Sequence, residues 1–275
     1  MKYETFPIPP PAAVYGDIAD NGFVWSDDMT ILRGYIGGLG LANDATSPGT
    51  VIDVGAGICA SDDVTAYMAL GPFTKTTAAW AAGPGNGGLD AGSVAPSTWY
   101  HAFVIQRTDT GAVDVLLSQS ATAPALPSPY TRKRRIGSIR TSASSQILAF
   151  TQVNDTFVWS AVIAETITAT TASSLSTLAG VPPGVVVEAH GRGYLAASGA
   201  SQTQLLLSNA AESAVTVSGA NFNAGSPQAS AAFPFAINVR ILTNASAQIR
   251  SALNTTAGFA ALGYETYGWR DFRGQ

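Results

Sequence analysis

From about residue 31 onward, apolar and polar residues alternate in short runs separated by turn residues. TWYHAFVIQR (98–107) sets Trp99, His101, Phe103 and Ile105 on one side and Tyr100, Ala102, Val104 and Gln106 on the other. A period of two is the period of a strand. Asp109-Thr110-Gly111 then supplies a turn and AVDVLLS (112–118) returns, which predicts a hairpin. QILAFTQ (146–152) and TFVWSAVI (156–163) predict a second hairpin around Val153-Asn154-Asp155. VVVEAH (185–190), TQLLLSN (203–209), AVTVSG (214–219), FAINVRIL (235–242), AQIRSAL (247–253) and GFAALGYETYGW (258–269) continue the pattern, joined by Asn, Gly, Ser and Pro clusters. Short strands at such spacing predict an all-β chain, an antiparallel β-sandwich or jelly-roll-like arrangement. TASSLSTLAG (171–180) is the one candidate for a short helix, and no tandem repeat of fixed period occurs.

The first 30 residues break the alternation. Pro7, Pro9, Pro10 and Pro11 favour an extended conformation that cannot join a central strand. Phe6, Tyr15, Phe23 and Trp25 are spaced along this arm as apolar anchors, candidates for docking on the chain's own domain or on a partner. The predicted organisation is an arm (1–30), a β-sandwich domain (31–165) and a second β-sheet region or domain (166–275), with a change of texture around residues 164–183. The pattern leaves open two sandwiches or the two sheets of one.

Composition sharpens this picture. Charged residues make up 12% of the chain, against about 25% in an ordinary soluble domain. A chain this short of charge either buries surface against copies of itself or carries a neutral Ser/Thr surface; the first reading predicts a homo-oligomer. The net charge of −4 argues against a nucleic-acid partner. The opening MKYETFPIPPPAAVYGD lacks the apolar core of a secretory signal. No run approaches the ~18 apolar residues of a membrane span. The expectation is synthesis in a cytoplasm, no membrane partner, and a final location reached by assembly. The single cysteine, Cys59, lies in the apolar run VIDVGAGICAS and reads as core.

Candidate chemistry is sparse. Arg132, Lys133, Arg134 and Arg135 stand side by side in SPYTRKRRIGSIRT (128–141). In a strand they divide between two faces, which disperses them as a phosphate-binding patch. Arg132, Arg134 and Arg135 are therefore candidates for a subunit interface, forked onto carboxylates or carbonyls of the same or a neighbouring subunit. Asp109, Asp114 and Asp155 are the nearest candidate partners. GPGNGGLDAG (83–92) has no helix after it and reads as a turn, not a phosphate cradle. His101, mid-strand, is expected to be packed and hydrogen-bonded, and His190, before Gly191-Arg192-Gly193, to be exposed. No zinc spacing and no nucleophile elbow occurs. Asp53, Asp62 and Asp63, with Asp27 and Asp28, read as turn residues, as do the three Asn-x-Ser/Thr triplets at Asn154, Asn244 and Asn254. No catalytic residue, cofactor or metal is expected.

The string running through VIDVGAGICAS, FTKTTAAWAAGPGNGGLDAG, STWYHAFVI, TGAVDVLLSQS, ALPSPYTRKRRIGSI and FTQVNDTFVW, with the ending GYETYGWRDFRGQ, resembles phage and prophage virion proteins of the tail-fibre type. The resemblance covers most of the chain after the arm. It implies a β-sandwich in a trimeric fibre, spike or capsid-attached appendage, located in the virion, and it carries no catalytic residues. The expected partners are further copies of the chain, other virion proteins held through the arm, and a host-surface glycan. The alternatives are a virion-borne polysaccharide depolymerase, which long β-helical repeats would favour, and a non-viral carbohydrate-binding module, which an export signal would favour.

Overall fold

The computed structural model describes residues 31–197, 202–218, 221–222, 224–226 and 235–273. The arm, with Phe6, Tyr15, Phe23 and Trp25, lies outside the described residues. The strands are β1 (Ile36–Gly38), β2 (Leu41–Asn43), β3 (Val51–Val54), β4 (Gly57–Ala60), β5 (Tyr67–Leu70), β6 (Phe73–Ala79), β7 (Gly87–Leu89), β8 (Trp99–Arg107), β9 (Val113–Ser118) and β10 (Tyr130–Arg140). They continue as β11 (Phe150–Val153), β12 (Thr156–Glu165), β13 (Ser174–Thr177), β14 (Val187–Ala197), β15 (Thr203–Asn209), β16 (Ala224–Ser226), β17 (Phe235–Leu242), β18 (Gln248–Leu253) and β19 (Phe259–Asp271). Among the described residues there is no helix, so the chain is all-β.

The strands form sheets of three (β1-β4-β5), seven (β10-β8-β9-β7-β6-β3-β2), five (β11-β12-β19-β14-β17) and four (β13-β18-β15-β16). Pairing is antiparallel except where β7 lies between β6 and β9. Both predicted hairpins form, β8–β9 with Ala102 opposite Leu117, and β11–β12 closed by Val153 opposite Thr156. The segment 171–180 is not a helix. Its residues Ser174–Thr177 pair with β18, Ser176 is buried, and Leu175 faces solvent. Ser and Thr are weak helix formers, and an available cross-strand partner decides such a segment.

The period of two in β8 does not separate core from solvent, because both faces are covered. Tyr100, Ala102 and Val104 enter the large core, while Phe103 and Ile105 join a second cluster with Leu116 and Tyr130, covered by Trp80 and Leu126. The large core is continuous across the predicted 165/166 boundary. Trp99 of β8, Trp159 of β12 and Trp269 of β19 meet with ring centroids 5.1–5.7 Å apart, and Phe157 stacks on Trp269 at 4.7 Å. Such aromatic pairs stabilise by about 0.5–1.5 kcal/mol beyond their burial. The indole N–H groups of Trp99 and Trp159 donate to the carbonyls of Ala179 and Gly180, stitching the 165–183 connection onto the core.

Candidate functional site

The structure ties the basic run to its own chain. β10 is the edge strand of the seven-stranded sheet. Register shifts after Tyr130 and Arg135 break its alternation. Arg132 donates to Thr65 Oγ1 (2.9 Å) and Gln106 Oε1 (3.2 Å), and Lys133 Nζ meets Asp62 at 2.6 Å. Arg134 donates to the carbonyls of Gly34 (3.1 Å) and Arg273 (2.6 Å). Arg135 forks onto both oxygens of Asp271 at 2.8 and 2.5 Å. The expected acceptors were the wrong ones. Asp109 pairs with Arg107, Asp114 with Lys75 and Asp155 with Arg273. β10 runs beside the 61–65 turn and the end of the chain, so those segments supply its partners.

Arg273, inconspicuous in the sequence, closes the edge. It donates to the carbonyls of Ile136 (2.7 Å), Leu39 (3.4 Å) and Asn154 (3.0 Å) and pairs with Asp155. A recess of about 550 Å3 lies here between Lys133, Arg134, Arg135 and Arg273, with Asp62. Its donors are largely committed to intrachain acceptors, so we read it as a structural clasp.

Other buried polar groups are also structural. Lys75 Nζ pairs with Asp114 at 2.9 Å, both fully desolvated, and donates to the carbonyls of Ala81 and Gly83 (2.6 and 3.0 Å). Trp80 lies over the ammonium at 5.3 Å, which accounts for the Lys and Trp of the FTKTTAAW string. His101 is packed as expected, its Nδ1 on Ser138 Oγ at 2.9 Å. Burial first, then Arg135, lowers its pKa to about 3. Cys59 is buried, and burial pushes its thiol up to about 12. Among the described residues no group of three potential metal ligands converges.

The open face of the five-stranded sheet is different. Along β14 the sequence EAHGRGY places Glu188, His190, Arg192 and Tyr194 at alternate positions, with alanine and glycine between them. β17 brings Asn238 and Arg240 beside them, and β19 brings Glu265, Tyr267 and Arg270. Two neighbouring recesses result. One, of about 600 Å3, is lined by Arg192, Tyr194, Asn238, Tyr264 and Glu265, among others. Tyr194 is 44% exposed and its ring lies over Gly263, where a β-carbon would collide with it. That glycine lets the ring lie flat along the sheet. Arg192 Nε holds Glu265 at 2.6 Å. The Tyr264 hydroxyl is buried with no hydrogen-bond partner among the described residues, and burial, then Glu165, raises its pKa.

No known protein family, curated protein or solved structure matches this chain.

The second recess, of about 580 Å3, lies on the same sheet; Arg192, which lines the first, has its guanidinium 5.9 Å from the ring of Tyr267, which lines the second. Arg240, Arg270, Glu188, His190 and Tyr267 line it. His190 is not exposed as expected: only 4% of it reaches solvent, because Glu188 holds Nε2 at 3.0 Å and Tyr267 lies 5.7 Å from its ring. A register shift at His190/Gly191 sets this geometry. Burial lowers the His190 pKa, and Arg240 and Arg270 push the same way, against Glu188.

Of the residues singled out from sequence, the face contains His190, Asn154 and Asp155. Arg132, Arg134 and Arg135 lie at the β10 edge instead. Arg192, Tyr194, Asn238, Arg240, Glu265, Tyr267 and Arg270 were missed. The polar alternation in EAHGRGY was a legible signal for one strand. The contributions of β17 and β19 depend on register, which no local pattern carries.

Proposed function

We propose that this chain is a structural component of a bacteriophage virion, a tail-fibre, spike or capsid-attached appendage protein, and that its five-stranded sheet presents a glycan-binding face for host attachment. The observation that carries the attachment reading is the recess in which the exposed Tyr194 ring is rimmed by Arg192, Asn238 and Glu265. A flat aromatic surface suits the C–H face of a sugar ring, and planar polar side chains beside it suit paired hydroxyls. The virion reading draws support from the sequence resemblance, the all-β architecture and the low charge. We read the two larger sheets, which share the core around Phe157 and Trp269, as the facing layers of a sandwich. Further copies of the chain, most simply a trimer, would cover exposed apolar residues away from this face, such as Leu32, Leu175 and Val186. Phe6, Tyr15, Phe23 and Trp25 of the arm are the candidates for docking on other virion proteins. The function is binding, not catalysis, with no nucleic-acid or membrane partner.

Binding to an array of bacterial surface saccharides tests the attachment reading. The expected result is a subset of glycans bound by the wild type and lost in Tyr194→Ala at unchanged melting temperature. Wild-type protein that binds none of them overturns attachment. Light scattering tests the oligomer: a monodisperse trimer is expected, and a stable monomer at micromolar concentration argues against the assembly.

A further inference from the structure

We propose that the sheet face selects acidic saccharides, with Arg240 and Arg270 receiving a sugar carboxylate in the second recess while Tyr194 stacks the adjoining sugar in the first. The inference rests on the glycan-binding reading and names its ligand class.

The charges on the face are unevenly matched. Each carboxylate there already has a partner: Glu265 is held by Arg192, Glu188 by His190 and Asp155 by Arg273. Arg240 and Arg270 have no carboxylate partner and no side-chain hydrogen bond among the described residues. They line the recess from strands on opposite sides of β14, Arg240 opposite His190 and Arg270 opposite Glu188. The imidazole between them is kept from adding a third positive charge, as its lowered pKa reflects.

A protein with a net charge of −4 thus leaves two guanidiniums without a carboxylate partner in one concavity, Arg270 resting over the Phe272 ring at 5.3 Å. Guanidinium forks match carboxylates, and such charge-assisted bonds are about twice as strong as neutral ones. The Glu188 carboxylate offsets part of this surplus, because its His190 partner is neutral. What remains suits a monoanion better than a phosphate dianion, whose second charge would be poorly compensated. The neighbouring recess supplies the aromatic surface and hydroxyl partners for the rest of a disaccharide.

The test is calorimetry on the full chain with digalacturonic acid, 3′-sialyllactose, lactose and glucose 6-phosphate. An acidic saccharide, digalacturonic acid or 3′-sialyllactose, is expected to bind about tenfold or more tightly than lactose, a preference that raised salt weakens. Arg240→Gln/Arg270→Gln should abolish the preference at an unchanged melting temperature. Equal affinity for acidic and neutral sugars, or an acid preference that survives in the double variant, overturns this inference and leaves glycan binding standing. Tighter binding of the sugar phosphate overturns the carboxylate assignment. Failure of all four probes, with an empty saccharide array, overturns the attachment reading and this one together.

Discussion

Arg135 and Asp271 stand 136 residues apart in the chain and meet as a bidentate ion pair, with Asp271 wholly shielded from solvent. The pair joins the edge strand β10 to the last residue of β19. With Arg273 on the Ile136 carbonyl two residues later, it holds the end of the chain against the seven-stranded sheet. A backbone edge that would otherwise invite strand pairing is thereby covered from within the molecule.

Arg135→Ala leaves a buried carboxylate with its main cationic partner removed. It is expected to cost about 3–5 kcal/mol in chemical denaturation. Arg107→Ala, which removes a solvent-accessible surface pair, serves as the control and should barely move the denaturation midpoint. Equal effects of the two would sink the clasp.

The Lys75–Asp114 pair makes a second, independent case. Lys75→Met abandons a carboxylate that the fold keeps 2% exposed, at a cost of about 3–5 kcal/mol. Adding Asp114→Asn removes the stranded charge and retains an acceptor for the Gly83 N–H, which donates at 2.7 Å. The double variant should therefore be more stable than Lys75→Met alone. A double variant as unstable as the sum of its parts would show that the charges do not act as a pair.

Acid should destabilise the protein through His101. The native imidazole is held neutral to about pH 3 by burial and by Arg135, whereas an unfolded chain protonates near the ordinary 6.5. The contribution is complete above 6.5 and is lost as pH falls from there towards 3, at a limiting slope of about 1.4 kcal/mol per pH unit. His190, also lowered, acts with the same sign, while Glu165, raised chiefly by burial, opposes both above its ordinary range. Comparing His101→Gln with wild type isolates the effect: between about pH 7 and pH 5 the variant should lose less stability. Identical slopes would refute it.

The four consecutive basic residues should not bind DNA. Lys133 and Arg134 are engaged by Asp62, Arg134 also by carbonyls, and Arg135 by Asp271. Few donors remain for phosphates, and a net charge of −4 repels a polyanion at long range. Electrophoretic mobility shift at physiological salt is the check, and a retained complex would overturn the structural assignment.

The sequence by itself determined the class of this protein. Alternation with a period of two, broken by Asn, Gly and Pro, is local information. It was enough for the hairpins β8–β9 and β11–β12 and for the packed His101 and Cys59. It misjudged 171–180, where Ser174–Thr177 become a strand only because β18 lies beside them. Its most conspicuous polar run is bonded within the chain. A run of four basic residues is conspicuous along the chain, yet in space each is matched by an acceptor from the 31–34 segment, the 61–65 turn, β8 or the chain end. Tyr194, Arg240 and Arg270 are inconspicuous along the chain and become neighbours only through β14–β17 and β14–β19 register. Tertiary structure decided which charges were satisfied and which were left over, because pairing between strands far apart in sequence depends on register and burial, and neither is encoded within any one strand.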